Sequence, residues 1–454
     1  MQSVYGQVER GWDRVSRRVR LGCATAVLWL AWGGVAWSAP EPVTAGLVTR
    51  LAEGMRGRYP ALVELEREVE AGRWNLKGRR HWADPELEAG GARYRTGEMA
   101  RENGDVFYGV RQPLPIMGKE AATRSLAGAE LTAAEARLEA RFAELRRDLA
   151  VALLESALER ELVVLTAEDV GWMESQLTQA RVRLSTGSES AAQVLRLENE
   201  LDRRRTEWTN AVAGLADAGV RVEQLLGEGA MTGTEGYAVP ELGGPVAFGA
   251  ALVRFAERAE PEVLRRERQI GVAQAEVEVT RRSGRPDFAV SAQAYHQTAG
   301  GTPAMGMLSV SMMVPLWNRE NFRRDLRRDR DRLAGVEAAA GDARQAVRRE
   351  VHGLVTRIGV ARREALLQQD QVLPRTERLL GTLTAGWASG RMELRDLFDT
   401  RRQWLEARAM EARARAEYWV AVAELLLCCG LSDLDAVQQL ETTGTMDMQG
   451  GTAR

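Results

Sequence analysis

The side chains that most often carry catalysis are few and scattered in this chain. Its three histidines, His81, His296 and His352, lie far apart, and neither CxxC nor HExxH spacing occurs. A conventional zinc site is therefore not expected. Nothing resembles a nucleophile triad or a phosphate-binding loop. The sequence thus predicts no enzyme, no bound metal and no cofactor.

Sulfur is the other candidate ligand. Four methionines occupy a short stretch, namely Met305, Met307, Met312 and Met313. Thioethers suit Cu(I), but apolar strand residues that face lipid or a neighbouring strand explain the same cluster. On a strand, Met307 and Met313 would share one face and Met312 would lie on the other. Cys428 and Cys429 are adjacent and are predicted to pack as small apolar residues. No metal-ligand set is therefore visible, and copper binding stays open.

The elements that carry these residues are predicted to be long helices. Charged residues make up 28% of the 454 residues and aromatics only 6%, which is typical of coiled coils. A formal net charge of −2 gives no field that would favour nucleic acid. Residues 1–39 have a basic flank, an apolar run and small residues at the end, so we predict a signal peptide. An uncleaved membrane anchor is the alternative.

The chain contains two copies of one structural unit. Landmarks recur at an offset of 201 to 203 residues, as in the pairs Pro60 and Pro261, Tyr94 and Tyr295, and Gly187 and Gly390. We predict a first repeat at 40–230, a linker at 231–247, a second repeat at 248–432 and a flexible tail at 433–454.

Each copy is predicted to contain a helix, two strands, a very long helix, a turn and a further helix. The first helix is expected at Thr44–Gly78. Strands are expected near 86–95, 106–112, 288–295 and 307–314, with alternating side chains. The helix at 118–184 has no proline and could approach ~100 Å at ~1.5 Å per residue. Its counterpart carries Pro374, which should kink or interrupt it.

A seven-residue apolar repeat follows each turn glycine. It extends from Val194 to Val222 and from Leu397 to Leu425, with Arg204 and Glu411 as exceptions. Such a repeat implies packed helices with a left-handed supercoil. Four strands per chain cannot close a barrel alone, whereas three chains would supply twelve.

The chain resembles the TolC family of outer-membrane factors over nearly its whole exported length. The duplicated order, the paired glycine turns and the stretch YGVRQPLPIMGK at 108–119 carry this resemblance, and the last is similar to the heavy-metal efflux branch. The family fold is mixed α and β, mainly α. It implies a trimeric twelve-stranded outer-membrane β-barrel continued by a periplasmic α-helical coiled-coil tunnel.

The resemblance also implies partners and a function. The partners are outer-membrane lipid, a periplasmic adaptor (membrane fusion) protein and an inner-membrane pump, for which the RND type is one candidate. The function is export of metal cations or other toxic solutes from the periplasm or cytoplasm. The alternative is a periplasmic coiled-coil scaffold or adaptor without a pore. Neither the transported substrate nor the pump can be named from the sequence.

Two groups of site residues follow from the family pattern. Asp396 and Asp399 stand six and nine residues after Gly390, where TolC-type channels carry the aspartates of the pore gate. The alternative is that they stabilise a helix start or pair with nearby arginines. The turns at the periplasmic tips supply the predicted adaptor contacts, which are Leu184, Gly187, Ser190, Trp387, Gly390 and Glu393. Their alternative is an ordinary turn between helices.

Overall fold

The computed structural model describes residues 40–79, 82–96, 101–187, 190–227, 236–297, 305–315, 318–389 and 391–431. The predicted signal peptide and tail lie outside these ranges, as do His81, Gly390 and part of the linker.

The two halves of the chain contain the same succession of elements. The first half has strand β1 (Glu41–Pro42), helices α1 (Ala45–Glu53) and α2 (Pro60–Gly78), strands β2 (Glu86–Thr96) and β3 (Arg101–Leu114), and helices α3 (Lys119–Ser185) and α4 (Ala191–Leu226). The second has β4 (Tyr237–Ala238), α5 (Ala250–Ala259), α6 (Pro261–Ser283), β5 (Asp287–Gln297), β6 (Met305–Met313), α7 (Arg319–Leu367), a π-helical segment (Gln368–Val372), α8 (Leu373–Ala388) and α9 (Leu394–Cys428). The described chain is mainly helical, as predicted.

The prediction of one helix over 44–78 is wrong, because two helices occupy this stretch. The second begins at Pro60, whose missing N–H is tolerated in a first helical turn. A residue before proline is pushed out of the α region, and Tyr59 has ψ 122°. The second half repeats the break at Glu260, whose carboxylate accepts a 2.6 Å hydrogen bond from the Val263 amide.

The four longer strands form one antiparallel sheet in the order β2-β3-β5-β6. They are longer than predicted at several ends, since backbone pairing continues past the apolar residues, for example between Asn103 and Tyr94. β5 pairs regularly with both neighbouring strands, so its side chains alternate between the two faces as predicted. Gln293 lies directly opposite Gly109 on one side and Met307 on the other.

The longest helix, α3, contains 67 residues, which gives it a length of ~100 Å. Its counterpart is interrupted by the π-helical segment, which ends two residues before Pro374. Proline has no N–H to donate to the carbonyl four residues earlier. The predicted interruption is therefore confirmed, and its form is a π turn rather than a sharp break.

Buried apolar side chains line the contacts between helices in three clusters. One joins α1, α2 and α3, and a second joins α5, α7 and α9. Cys428 and Cys429 belong to the second, and burial raises the pKa of both thiols. The third, here called the tip cluster, lies at the ends of α3 and α8 remote from the sheet. Its residues are Met173, Leu177, Ala180, Val194, Leu197, Leu201, Leu383, Trp387, Leu394 and Leu397.

Candidate functional site

One face of the sheet carries a hydrogen-bonded polar network. The Gln293 amide donates a 2.7 Å bond to Glu88, and the Tyr295 hydroxyl donates a 2.9 Å bond to Gln293. The first bond crosses β3 at Gly109, where a Cβ atom would lie 2.6 Å from Cγ of Gln293. Because Gly109 has no side chain, the side chain of Gln293 on β5 can pass over β3 and reach Glu88 on β2.

The opposite face is mainly apolar, with Gln112 and His296 as polar members, and it is exposed on three of the four strands. Its exposed large side chains are Leu87, Val106, Tyr108, Val110, Leu308, Val310 and Met312. Leu87 and Leu308 are 83% and 77% exposed. An apolar surface of this extent normally marks contact with lipid or protein.

The methionines of β6 divide between these faces. Met305, Met307 and Met313 lie on the polar face, and Met312 lies on the apolar face. The predicted separation of Met312 is confirmed. All four side chains are exposed.

Three of the predicted contact residues lie at the end of α3 and in the turn that leads to α4. Gly187 has φ +76°, and a Cβ there would meet no atom within 4 Å, so its backbone conformation is what calls for glycine. Ser190 caps α4 through a capping box with Gln193. Leu184 is exposed.

The turn between α8 and α9 is built differently. Glu393 is exposed and is the N-cap residue of α9, but its side chain makes no capping hydrogen bond. Trp387 is only 3% exposed and packs in the tip cluster. Its burial does not support a direct contact with a partner. Gly390 lies outside the described residues.

Asp396 and Asp399 lie on the exposed side of α9, one helical turn apart. Asp396 is exposed, and among the described residues it forms no ion pair. Asp399 is half exposed and has long contacts to Arg395 at 3.8 Å and Arg402 at 3.5 Å. Asp396 also lies in the first turn of the helix, where the positive end of the helix dipole favours a carboxylate.

The sequence did not predict that the exceptions to the heptad pattern are buried ion pairs. Arg204 lies 3.5 Å from the buried carboxylate of Asp169, which also accepts a 2.9 Å hydrogen bond from Arg401. Buried Glu411 lies 3.4 Å from Arg415, which contacts Glu161 at 2.6 Å. The signal in the sequence for these ion pairs was a charged residue at a heptad position that is otherwise apolar.

None of the helices within the described ranges is both long and apolar enough to cross a bilayer. Among the residues that the structure describes, no group of three or more His, Cys, Asp or Glu side chains is placed to hold a metal ion.

The chain thus combines very long helical hairpins with a sheet that has one polar and one exposed, mainly apolar face, as the strands of outer-membrane barrels do. The family described as Outer membrane efflux protein matches residues 51–228 and 252–431. The chain belongs to the outer membrane efflux protein family. Members of this family are transport channels rather than enzymes.

Solved structures share this fold at low sequence identity. A membrane protein from Pseudomonas aeruginosa is 16% identical and has a TM-score of 0.72, over 90% of this chain and 97% of that one. CusC is 15% identical, with the same coverage and TM-score. VceC from Vibrio cholerae is 15% identical, with a TM-score of 0.70 over 85% and 96% of the two chains. No curated protein sequence matches the chain.

Proposed function

We propose that this chain is the outer-membrane channel of a tripartite efflux system, working with a periplasmic adaptor and an inner-membrane pump. The exposed apolar face of the sheet carries the proposal. Lipid can cover these side chains, but it cannot satisfy unpaired backbone groups at a sheet edge. In the described sheet, β2 and β6 each pair on one side only.

A homotrimer would satisfy the unpaired backbone groups at both edges of the sheet. Three copies would pool twelve strands into a closed barrel with the polar face inside, and the helical hairpins of both repeats would continue its wall into the periplasm. Native mass measurement in detergent tests this, and we expect three copies. A stable monomer as the only functional species would end the shared-barrel idea.

Asp396 and Asp399 are the proposed pore gate. Six carboxylates around one axis would attract cations and repel anions. The absence of a cation partner for Asp396 among the described residues supports this role, as do the long contacts of Asp399. Single-channel recording on Asp396→Asn with Asp399→Asn should show lower cation selectivity and weaker block by multivalent cations. Asp202→Asn, at an aspartate that is 77% exposed on α4, is the matched control.

The tips are the proposed docking site for the adaptor. Leu184, Gly187, Ser190, Gly390 and Glu393 remain the proposed contacts. A photo-crosslinker at Leu184 or Ser190 should capture the adaptor, whereas one at Val164, which is exposed in the middle of α3, should not. Crosslinks only from Val164 would place docking elsewhere.

Metal cations are the proposed substrates, with other toxic solutes as the alternative. The similarity of residues 108–119 to the heavy-metal branch supports metals, and so do the three exposed thioethers on the polar face. Deleting the gene and testing growth on a panel of metals and drugs separates the two. Sensitivity to drugs alone would refute the metal assignment.

A further inference from the structure

A buried carboxylate joins three long helices above the tip cluster. Asp169 of α3 accepts a 2.9 Å hydrogen bond from Nε of Arg401 on α9, and its other oxygen lies 3.5 Å from Arg204 on α4. The side chain of Asp169 is 3% exposed and that of Arg401 is 10% exposed. These charges are therefore largely removed from solvent.

Two indole rings confine the guanidinium of Arg401. Its central carbon lies 5.0 Å from the ring of Trp172 and 4.4 Å from that of Trp404. Arg204 is held separately by Glu200 at 2.9 Å and Glu207 at 3.0 Å. Among the residues that the structure describes, Asp169 is therefore the one carboxylate that pairs with Arg401, and the two rings limit where its guanidinium can lie.

The apolar contacts around α9 restrict its rotation less strictly than the ion pair does. Leucines at heptad spacing can pack in more than one register, whereas a buried polar pair has a single satisfied arrangement. Removing one partner of a buried pair leaves an uncompensated charge, which is strongly unfavourable. The ion pair thus penalises any rotation of α9 that the leucines alone would tolerate.

The proposed gate lies on the opposite side of the same helix. With about 100° per residue, Arg401 and the midpoint of Asp396 and Asp399 are separated by roughly 170° around the axis of α9. Leu394 and Leu397 share the side of Arg401 and are buried. The direction of Arg401 therefore determines the direction of the two aspartates.

We propose that Asp169 and Arg401 are the positioning pair that fixes the rotation of α9 and thereby aims Asp396 and Asp399 away from the core of the chain. The link to the gate rests on the proposed function. The rotation itself does not, so it can be measured without conduction.

Cysteine labelling in the assembled protein measures this rotation. Asp396→Cys should react rapidly with a charged thiol reagent, and Leu397→Cys should react slowly, since Leu397 is 0% exposed. The native Cys428 and Cys429 are buried and give little background. Adding Asp169→Asn should lower the ratio of the two rates by about tenfold or more. Arg401→Lys keeps the charge and should restore part of the ratio relative to Arg401→Met.

The control is Glu161→Gln, which removes a less buried ion pair between α3 and Arg415, farther along α9. It should leave the labelling ratio unchanged. If Asp169→Asn does not fold, Asp169→Leu with Arg401→Met replaces the pair by apolar side chains, a change that often preserves stability. In that double variant the ratio of the two labelling rates should also be lower than in the wild type.

A wild-type labelling ratio in Asp169→Asn or in the double variant, with or without a lower melting temperature, would overturn the positioning role. It would leave the channel proposal intact. Conversely, unchanged selectivity in Asp396→Asn with Asp399→Asn would refute the gate, while the labelling ratio would still decide whether the pair fixes the helix.

Discussion

Arg183, near the end of α3, donates a 3.0 Å hydrogen bond to the carbonyl oxygen of Trp387, near the end of α8. Its guanidinium also lies 4.2 Å from the centre of the Trp387 ring. A cation at a helix C-terminus satisfies an orphan carbonyl and interacts favourably with the dipole. This side chain thus adds a polar link between the two helical hairpins, whose ends also share the tip cluster.

Replacing Arg183 should loosen this junction. Arg183→Ala removes a charged donor to a carbonyl and a cation–π contact, so we expect a loss of about 1.5–3 kcal/mol in the free energy of unfolding. Arg181→Ala is the control, because its ion pair with Glu198 is exposed and should contribute at most about 1 kcal/mol. Denaturant unfolding followed by Trp fluorescence gives both values. Equal losses would contradict a special role for Arg183.

The apolar face of the sheet should reject charge. Val310→Lys places an ammonium where we propose lipid, at a cost of about 2–4 kcal/mol near the bilayer midplane. Met307→Lys puts the same charge on the polar face of the same strand and should be tolerated. The amount of heat-modifiable protein in the outer membrane is the measurement. If both variants insert equally well, this face does not contact lipid.

Gly109 should not accept a side chain. A Cβ there would lie 2.6 Å from Gln293 and 2.7 Å from the carbonyl oxygen of Ala292. Gly109→Ala should therefore cost about 1–3 kcal/mol through overpacking. Gly306→Ala is the control, since a Cβ on this glycine of β6 has no neighbour within 4 Å. Melting temperatures of the two variants should differ clearly, and coincident values would count against this account of the sheet.

Glu411 should make stability depend on pH. Burial raises the pKa of its carboxyl, and the nearby charge of Arg415 opposes this only in part. A carboxyl whose pKa is raised on folding contributes stability that is present at low pH and lost as pH increases through the raised value. Glu411→Gln should therefore be at least as stable as the wild type at neutral pH, with its relative advantage shrinking on acidification.

Unfolding curves at several pH values test this, with the exposed Glu406→Gln as control. The measurement is the stability of Glu411→Gln minus that of the wild type at each pH. If this difference is smaller at neutral pH than at pH 4, the ion pair with Arg415 outweighs the effect of burial.

Periodicity made the long helices and alternating strands predictable, because it acts within one element. It could not supply the partners of Arg204 and Arg401, since Asp169 lies on a separate helix far along the chain. Trp387 was predicted as a contact at a turn, yet it is buried. Its burial depends on how four helix ends pack together, and the residues next to it in the sequence do not indicate that packing. The break before Pro60 was available from the sequence through the rule for residues preceding proline.

The π-helical segment at Gln368–Val372 lies where the two repeats differ in length. There are two more residues between Tyr295 and Gly390 than between Tyr94 and Gly187. A helix that acquires an extra residue can accommodate it as a single wide turn instead of displacing everything beyond it. One such turn absorbs one of the two extra residues, which helps α8 to end with Trp387 beside Arg183 although the second repeat is longer.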